Sequence, residues 1–223
     1  MSRYLGEVLL EIYRRLYAHF GPQHWWPAES PFEVCVGAIL TQNTNWRNVE
    51  RAINNLKARG ILSPEALHRL SLEELALLIR PAGYFRIKAR RLKNFVDFLV
   101  LRYGGELSAL AEKETEEIRK ELLSIKGLGP ETADSILLYA LERPVFVVDA
   151  YTKRILLRHG LTTEESGYDE LQELFMKNLP QDPEFYNEYH ALLVACGKHF
   201  CVSRKPRCVS PAGNSCPLAE IVL

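Results

Sequence analysis

The stretch Leu122-Leu123-Ser124-Ile125-Lys126-Gly127-Leu128-Gly129-Pro130-Glu131-Thr132-Ala133 decides the fold, and Asp149 follows twenty residues after Gly129. On its N-terminal side Glu116, Glu117, Arg119, Lys120 and Glu121 flank apolar Ile118 and Leu122, a four-residue step that reads as helix. Beyond Pro130 the apolar positions Ala133, Ile136, Leu137 and Ala140 recur at i, i+3, i+4 and i+7 and predict a second helix. The short join contains two glycines, which can take positive φ without steric cost. Pro130 stands where a new helix tolerates proline, in its first turn. The spacing thus predicts two helices packed around a Gly-x-Gly hairpin whose backbone N–H groups lie at a helix N-terminus. Such a tip suits a phosphate. A packing turn explains a lone Gly-x-Gly equally well.

Outward from the hairpin the chain reads as helix after helix. Leu5, Val8, Leu9, Ile12 and Leu16 make a first amphipathic helix ending near Gly21-Pro22. His24-Trp25-Trp26-Pro27 is an aromatic turn, ordinarily a plug beneath a loop. Pro31 starts a nearly all-apolar helix to about Leu40, and Thr41-Gln42-Asn43-Thr44-Asn45-Trp46 separates it from another over Val49 to Ala58. Ser63-Pro64 opens a short helix, and Ser71 with Glu74 forms a capping-box pattern for the next. Pro81-Ala82-Gly83-Tyr84-Phe85 turns into a helix carrying Leu92, Phe95, Val96 and Leu99. Strand-like character is confined to Val145 to Val148, too short to build a sheet. The fold is expected to be all-α.

With 223 residues, 47% of them hydrophobic, the chain can fill one large or two modest domains. No apolar run approaches the ~20 residues that span a bilayer. Glu7 and Glu11 interrupt the N-terminal apolar stretch, so no secretion signal is read and a cytoplasmic protein is expected. Lys+Arg and Asp+Glu balance at 28 each, so net charge announces no polyanionic partner. Local basic clusters at Arg86 to Lys93 and Lys198 to Arg207 suit nucleic acid or a solvated helix face. Cys35 lies alone in an apolar helix. Cys196, Cys201, Cys208 and Cys216 crowd the last 28 residues, which in a cytosolic chain suggests metal rather than disulfides.

The hairpin stretch resembles the helix-hairpin-helix of the endonuclease III superfamily of DNA glycosylases. Val147-Val148-Asp149-Ala150-Tyr151-Thr152-Lys153-Arg154 resembles that superfamily's catalytic V-D segment at the same spacing. The resemblance implies a six-helix barrel domain from about 29 to 143 and a second helical domain from 1–28 with 144–223. In that family a DNA-binding cleft lies between the two. By spacing alone Asp149 is a helix N-cap; by resemblance it is the essential carboxylate. Cleavage of an N-glycosidic bond develops positive charge on the deoxyribose, and a carboxylate can stabilise that charge and take a proton from the attacking water. Bifunctional glycosylase/lyases carry a lysine where this chain has Glu131, and a carboxylate cannot form their Schiff base. The resemblance therefore implies a monofunctional glycosylase without lyase activity.

By the same resemblance, Gln42 with Asn43 and Thr44 forms the loop that fills the gap left by an extruded nucleotide. Gly83, Tyr84 and Lys88 belong to a second DNA-contacting turn, and Lys126, Gly127, Gly129 and Thr132 to the hairpin contact. Trp25-Trp26-Pro27, the Gly37 to Thr44 stretch, Trp46 and Arg80 to Tyr84 look most like the type III 3-methyladenine DNA glycosylases. Trp25, Trp26, Pro27 and Trp46 would then line the base pocket, where indole faces attract a cationic methylated purine by ~0.5–2 kcal/mol. A damaged base is also cheap to flip. Endonuclease III relatives hold a [4Fe–4S] cluster with C-x6-C-x2-C-x5-C spacing. Here Cys201 and Cys208 keep the first interval, the next widens to seven before Cys216, and Val222 stands where the fourth cysteine belongs. Cys196 is the replacement ligand, or the site is incomplete and oxygen-labile. The expected partner is double-stranded DNA with damaged bases, bound by a monomer without membrane association. Two alternatives remain: a glycosylase for mismatched or oxidised pyrimidines, and a non-catalytic DNA-damage binder.

Overall fold

The computed structural model describes residues 2–208 and 215–221. It divides into two compact units, Trp26–Arg143 and Met1–Trp25 with Pro144–Leu223. The elements, in chain order, are α1 (Ser2–Phe20), α2 (Pro31–Leu40), α3 (Trp46–Ala58), α4 (Pro64–Arg69), α5 (Leu72–Leu78), α6 (Phe85–Tyr103), α7 (Leu107–Ala111), α8 (Thr115–Ser124), α9 (Pro130–Ser135), α10 (Ala150–Arg158), α11 (Tyr168–Met176) and α12 (Pro183–His199). Among the described residues there is no strand, and no helix is long and apolar enough to cross a membrane.

In the central unit, α2 is the helix the others surround, which is why it can be apolar on every side. It packs against α3, α6 and α9, and Val36, Ile39 and Leu40 are wholly buried. Ser30 caps it by accepting from the Glu33 N–H, and Pro31 opens its first turn. Lys57 on α3 holds Glu33 and Glu29 at 2.9 Å each, tying α3 to the start of α2. The α3 helix begins at Trp46, three residues earlier than the apolar period predicts. Asn45 supplies the reason, accepting from the Asn48 N–H as an N-cap. The capping box of Ser71 and Glu74 forms at the head of α5. On α6, Leu92, Phe95, Val96 and Leu99 are fully buried, each such side chain contributing about 1.5–3 kcal/mol.

The α9 helix does not continue as a regular α-helix. Residues Ile136–Ala140 form one π-turn, and Leu141 N–H reaches Ile136 O at 3.1 Å. The apolar set Ala133, Ile136, Leu137 and Ala140 is still buried.

In the terminal unit, α12 packs against α1 and α10. Its Tyr189 hydroxyl donates to Leu9 O at 2.7 Å in a fully buried position. Phe146 and Phe175 stack with centroids 3.9 Å apart, and Tyr186 and Tyr189 meet Phe146 edge-on. Val145 to Val148 is buried irregular chain rather than strand, its Phe146 carbonyl accepting from the buried Gln172 amide at 2.7 Å. This segment leads directly into Asp149.

Candidate functional site

Asp149 has extended backbone (φ −115, ψ −177) and caps α10. Its Oδ1 accepts from the Thr152 N–H at 2.8 Å and from the Thr152 hydroxyl at 3.0 Å. Its Oδ2 stands 3.5 Å from His190 Nε2 on α12, and the two side chains are only 12% and 7% exposed. Burial pushes the Asp149 carboxyl up, but the His190 charge and hydrogen bond, then the Thr152 donors, outweigh it and hold the group below the ordinary aspartate value. A carboxylate kept ionised in so enclosed a place can accept a proton or face a developing cation. Lys153 and Arg154, one turn along, are committed to carbonyls: Lys153 Nζ donates to Glu164 O and Ser166 O, and Arg154 Nε to Cys201 O.

In the central unit, the predicted hairpin joins α8 to α9. Half-buried Arg119 and buried Asp134 clamp the helices, Nε to Oδ1 at 2.7 Å and Nη2 to Oδ2 at 3.1 Å. Only one of the two glycines takes positive φ: Gly127 lies at +101, whereas Gly129 is extended at φ −100, ψ 177 and serves as the N-cap of α9. A Cβ on Gly127 would stand 2.4 Å from Arg91 Cγ, so the hairpin closes onto α6 through that residue. Lys126 is exposed, and its carbonyl accepts from Asn94 Nδ2 at 2.8 Å. Glu131 is exposed too, with its carbonyl accepting from the Ser135 hydroxyl.

Gln42 is folded down onto this hairpin. Its Nε2 donates to Thr132 Oγ1 at 2.9 Å and Gly127 O at 3.3 Å, and its Oε1 accepts from Arg91. Thr132 is buried, so its hydroxyl serves Gln42 rather than an open surface. Asn43 is exposed at φ +54, and the Thr44 N–H closes the loop on Thr41 O. Lys88 departs from the expected DNA contact. It is 1% exposed, and its Nζ donates to Leu40 O and Ala82 O at 2.8 Å each. With its amine sealed among carbonyls and its pKa lowered by burial to about 8, it staples the Gln42 loop to the Gly83 turn instead. That turn presents Tyr84, 70% exposed, at φ +43 beside Gly83 at φ +67.

The tryptophans do not stand as parallel walls. Trp26 and Trp46 meet edge to face, centroids 5.1 Å apart at 88°, and Tyr139 leans on Trp26 at 5.1 Å and 42°. Gly37 makes room for Trp26, since a Cβ there would lie 3.1 Å from the indole. Exposed Pro27 and half-buried Trp46 line an open cleft of about 320 Å³ with Glu33, Glu50 and Lys57. Trp25 belongs to the terminal unit, where Lys198 Nζ lies 5.6 Å from its ring centroid.

The four late cysteines gather around one another. Cys196, Cys201 and Cys216 are buried and Cys208 is exposed. The Cys196 thiol is pushed up by its hydrogen bond to Cys216, by burial and by the nearby Cys216, Cys201 and Cys208 charges. The same bond brings Cys216 down to about 7. Arg158 donates to Cys201 Sγ at 3.2 Å, and Cys216 N–H to Cys208 O at 2.7 Å. Among the described residues no three His, Cys, Asp or Glu groups converge on a point as ligands of one metal ion do. Cys216, Cys201 and Cys208 all act on Cys196, and four thiols are the donor type an iron–sulfur cluster takes. Val222 lies outside the described residues.

Arg91, Tyr139 and His190 escaped sequence reading. Arg91 sat unremarked in a basic cluster, Tyr139 in an apolar helix pattern, and His190 alone in the apolar run of α12.

Two helices clamped around a glycine hairpin, followed by a buried aspartate at a helix start, define a helix-hairpin-helix protein. The chain belongs to the HhH-GPD superfamily of base excision DNA repair proteins, whose family model matches residues 36–181. It is 52% identical, over 97% of its length and 96% of the other chain, to an inferred DNA repair glycosylase of Methanocaldococcus jannaschii. It is 29% identical to endonuclease III of Thermotoga maritima, covering 90% of this chain and 88% of that one. The solved structure of the H. pylori 3-methyladenine DNA glycosylase MagIII bound to 1,N6-ethenoadenine is similar at TM-score 0.75 and 28% identity, covering 87% of this chain and 97% of that one.

Proposed function

We propose that the chain is a monofunctional DNA glycosylase that removes alkylated purines such as 3-methyladenine from double-stranded DNA. The observation that carries this reading is Asp149, a nearly buried carboxylate held below its ordinary pKa against the pull of burial. As the N-glycosidic bond lengthens, positive charge grows on the deoxyribose and a carboxylate stabilises it. The same carboxylate accepts the proton of the attacking water, leaving an intact abasic site and a free base. Glu131 supports hydrolysis rather than lyase chemistry, because it offers no amine where bifunctional relatives need one. Gln42, Tyr84 and the Gly127 hairpin are the DNA contacts in this reading, and the unit Trp26–Arg143 is the barrel domain. The enzyme acts as a monomer on cytoplasmic DNA.

The alkylpurine assignment draws on the likeness to the H. pylori glycosylase and on Trp25, Trp26 and Trp46. One observation favours the second reading, a glycosylase for mismatched or oxidised pyrimidines. Lys198 already sits over the Trp25 ring, and a cation there opposes a second cation and suits a neutral base. Free-base release from methylated duplex, measured beside uracil, thymine-mismatch and thymine-glycol duplexes, separates the two. Faster release from methylated duplex, abasic sites that break only on alkali, and no borohydride-trapped complex are expected. Preference for a pyrimidine lesion overturns the substrate class, and a strong trapped band overturns the monofunctional assignment.

Cys196, Cys201, Cys208 and Cys216 are proposed to hold a [4Fe–4S] cluster, whose thiolate–iron bonds would fasten the C-terminal loop to α12. Anaerobically purified protein should then be brown, with about four irons per chain, and Cys196→Ala should bleach it. Colourless protein, or colour indifferent to that substitution, defeats this ligand set.

A further inference from the structure

A helix cap needs one carboxylate oxygen, and Asp149 meets that need with Oδ1 alone. Its second oxygen, Oδ2, faces His190 Nε2 at 3.5 Å, long for a hydrogen bond and within reach of an ion pair. An N-cap gives no reason to bury an imidazole beside it. We propose that His190 is a positioning residue for Asp149: its buried ring faces the oxygen that the cap leaves over and keeps that oxygen aimed. The proposal rests on the reading of Asp149 as the reaction's carboxylate.

The surroundings leave this role to His190. On α10, Lys153 donates to Glu164 O and Ser166 O, and Arg154 to Cys201 O. From α11, the Tyr168 hydroxyl lies 3.5 Å from the Val148 N–H. On α12, Glu188 accepts from the Gln23 N–H at 2.8 Å, and the Tyr189 hydroxyl donates to Leu9 O. On α1, which packs against α12, Glu11 is paired with Arg15 at 2.8 Å. Against burial, His190 and then Thr152 are the groups that act on the Asp149 carboxyl. Removing His190 leaves burial to dominate, and burial favours the protonated acid. A protonated Asp149 neither stabilises a cation nor accepts a proton from water. The acid limb of base release should therefore follow the state of this pair.

The test is a carbon-13 NMR titration of aspartate-labelled full-length protein, with the Asp149 signal assigned by its loss in Asp149→Asn. Wild type should titrate below the ordinary aspartate range. His190→Gln, which keeps an amide donor and removes the ring, should move the titration up by roughly one to three pH units. The acid limb of single-turnover base release should move up with it, while binding to an abasic-site analogue at neutral pH stays within about threefold, well under the ~tenfold that 1.4 kcal/mol would produce. Tyr189→Phe controls for loosened packing: it breaks a buried bond one residue away and should leave Asp149 where it was. An unmoved titration in His190→Gln, or an equal movement in Tyr189→Phe, overturns the proposal. The titration uses no substrate, so wild type that releases no base from any lesion would defeat the glycosylase reading while the pairing was still decided by NMR.

Discussion

The helix starts at Gly129 and Asp149 follow opposite plans, twenty residues apart in one chain. At α9 the cap is a glycine with no side-chain bond, followed by a proline that has no N–H to offer. At α10 the cap is a carboxylate that satisfies the Thr152 N–H and hydroxyl with one oxygen. The first start is shaped by backbone and neighbours: Gly127 φ, Arg91 against it, and Arg119 with Asp134 behind. The second is shaped by a charge that the surrounding fold would otherwise reject. Residues that fix backbone shape tolerate no extra atom, whereas residues that fix charge tolerate isosteres but not neutralisation.

Asp149→Asn should break the comparison most visibly. Asparagine caps helices about as well as aspartate, so stability should change by only a few tenths of a kcal/mol. Single-turnover base release should fall by about 10²–10⁴-fold while abasic-site binding is kept. Near-normal release would reduce Asp149 to a cap.

The hairpin should show the reverse pattern. Gly127→Ala forces alanine to φ near +101 and a Cβ into Arg91, and should cost about 1–3 kcal/mol in denaturant melts along with DNA affinity. Gly129→Ala has an extended backbone and nothing within 4 Å of the added carbon, and should change stability far less. Equal effects from the two would mean that the conformation at Gly127 is not what holds the hairpin.

A separate effect is a pH slope at Lys88. Its folded pKa of about 8 lies below the ordinary 10.5, so between those values the unfolded chain binds more protons than the folded one. Stability should therefore rise with pH across that window. Thermal melts of wild type and Lys88→Met from pH 7.5 to 10.5 should diverge in wild type's favour as pH increases. Parallel curves would show that the amine is not sealed among its carbonyls.

Sequence alone carried the helical class, the two helices of the hairpin and the caps at Ser63, Ser71 and Asp149, because each depends on neighbours a few residues away. It misplaced the start of α3, where the apolar period begins at Val49 but Asn45 sets the first turn. Lys88 was assigned by resemblance to a DNA-contacting turn, and nothing local reveals that Leu40 O, 48 residues distant, will meet the amine. The partners of Gln42 were hidden for the same reason, lying 85 and 90 residues on. His190 was illegible because a histidine in an apolar run has the same pattern whether it fills space or faces a carboxylate.

The π-turn at Ile136–Ala140 sets the angular phase of the helix it interrupts. Each residue of an α-helix advances the azimuth by about 100°. A single-residue deletion inside the turn would restore ordinary winding and swing the flanking residues against each other by about that angle. The buried face of α9 and the Tyr139 ring that leans on Trp26 could then no longer both keep their directions. The extra residue works as a fixed key between hairpin and indole, and a change of chain length there, with no change of chemistry, would unlock it.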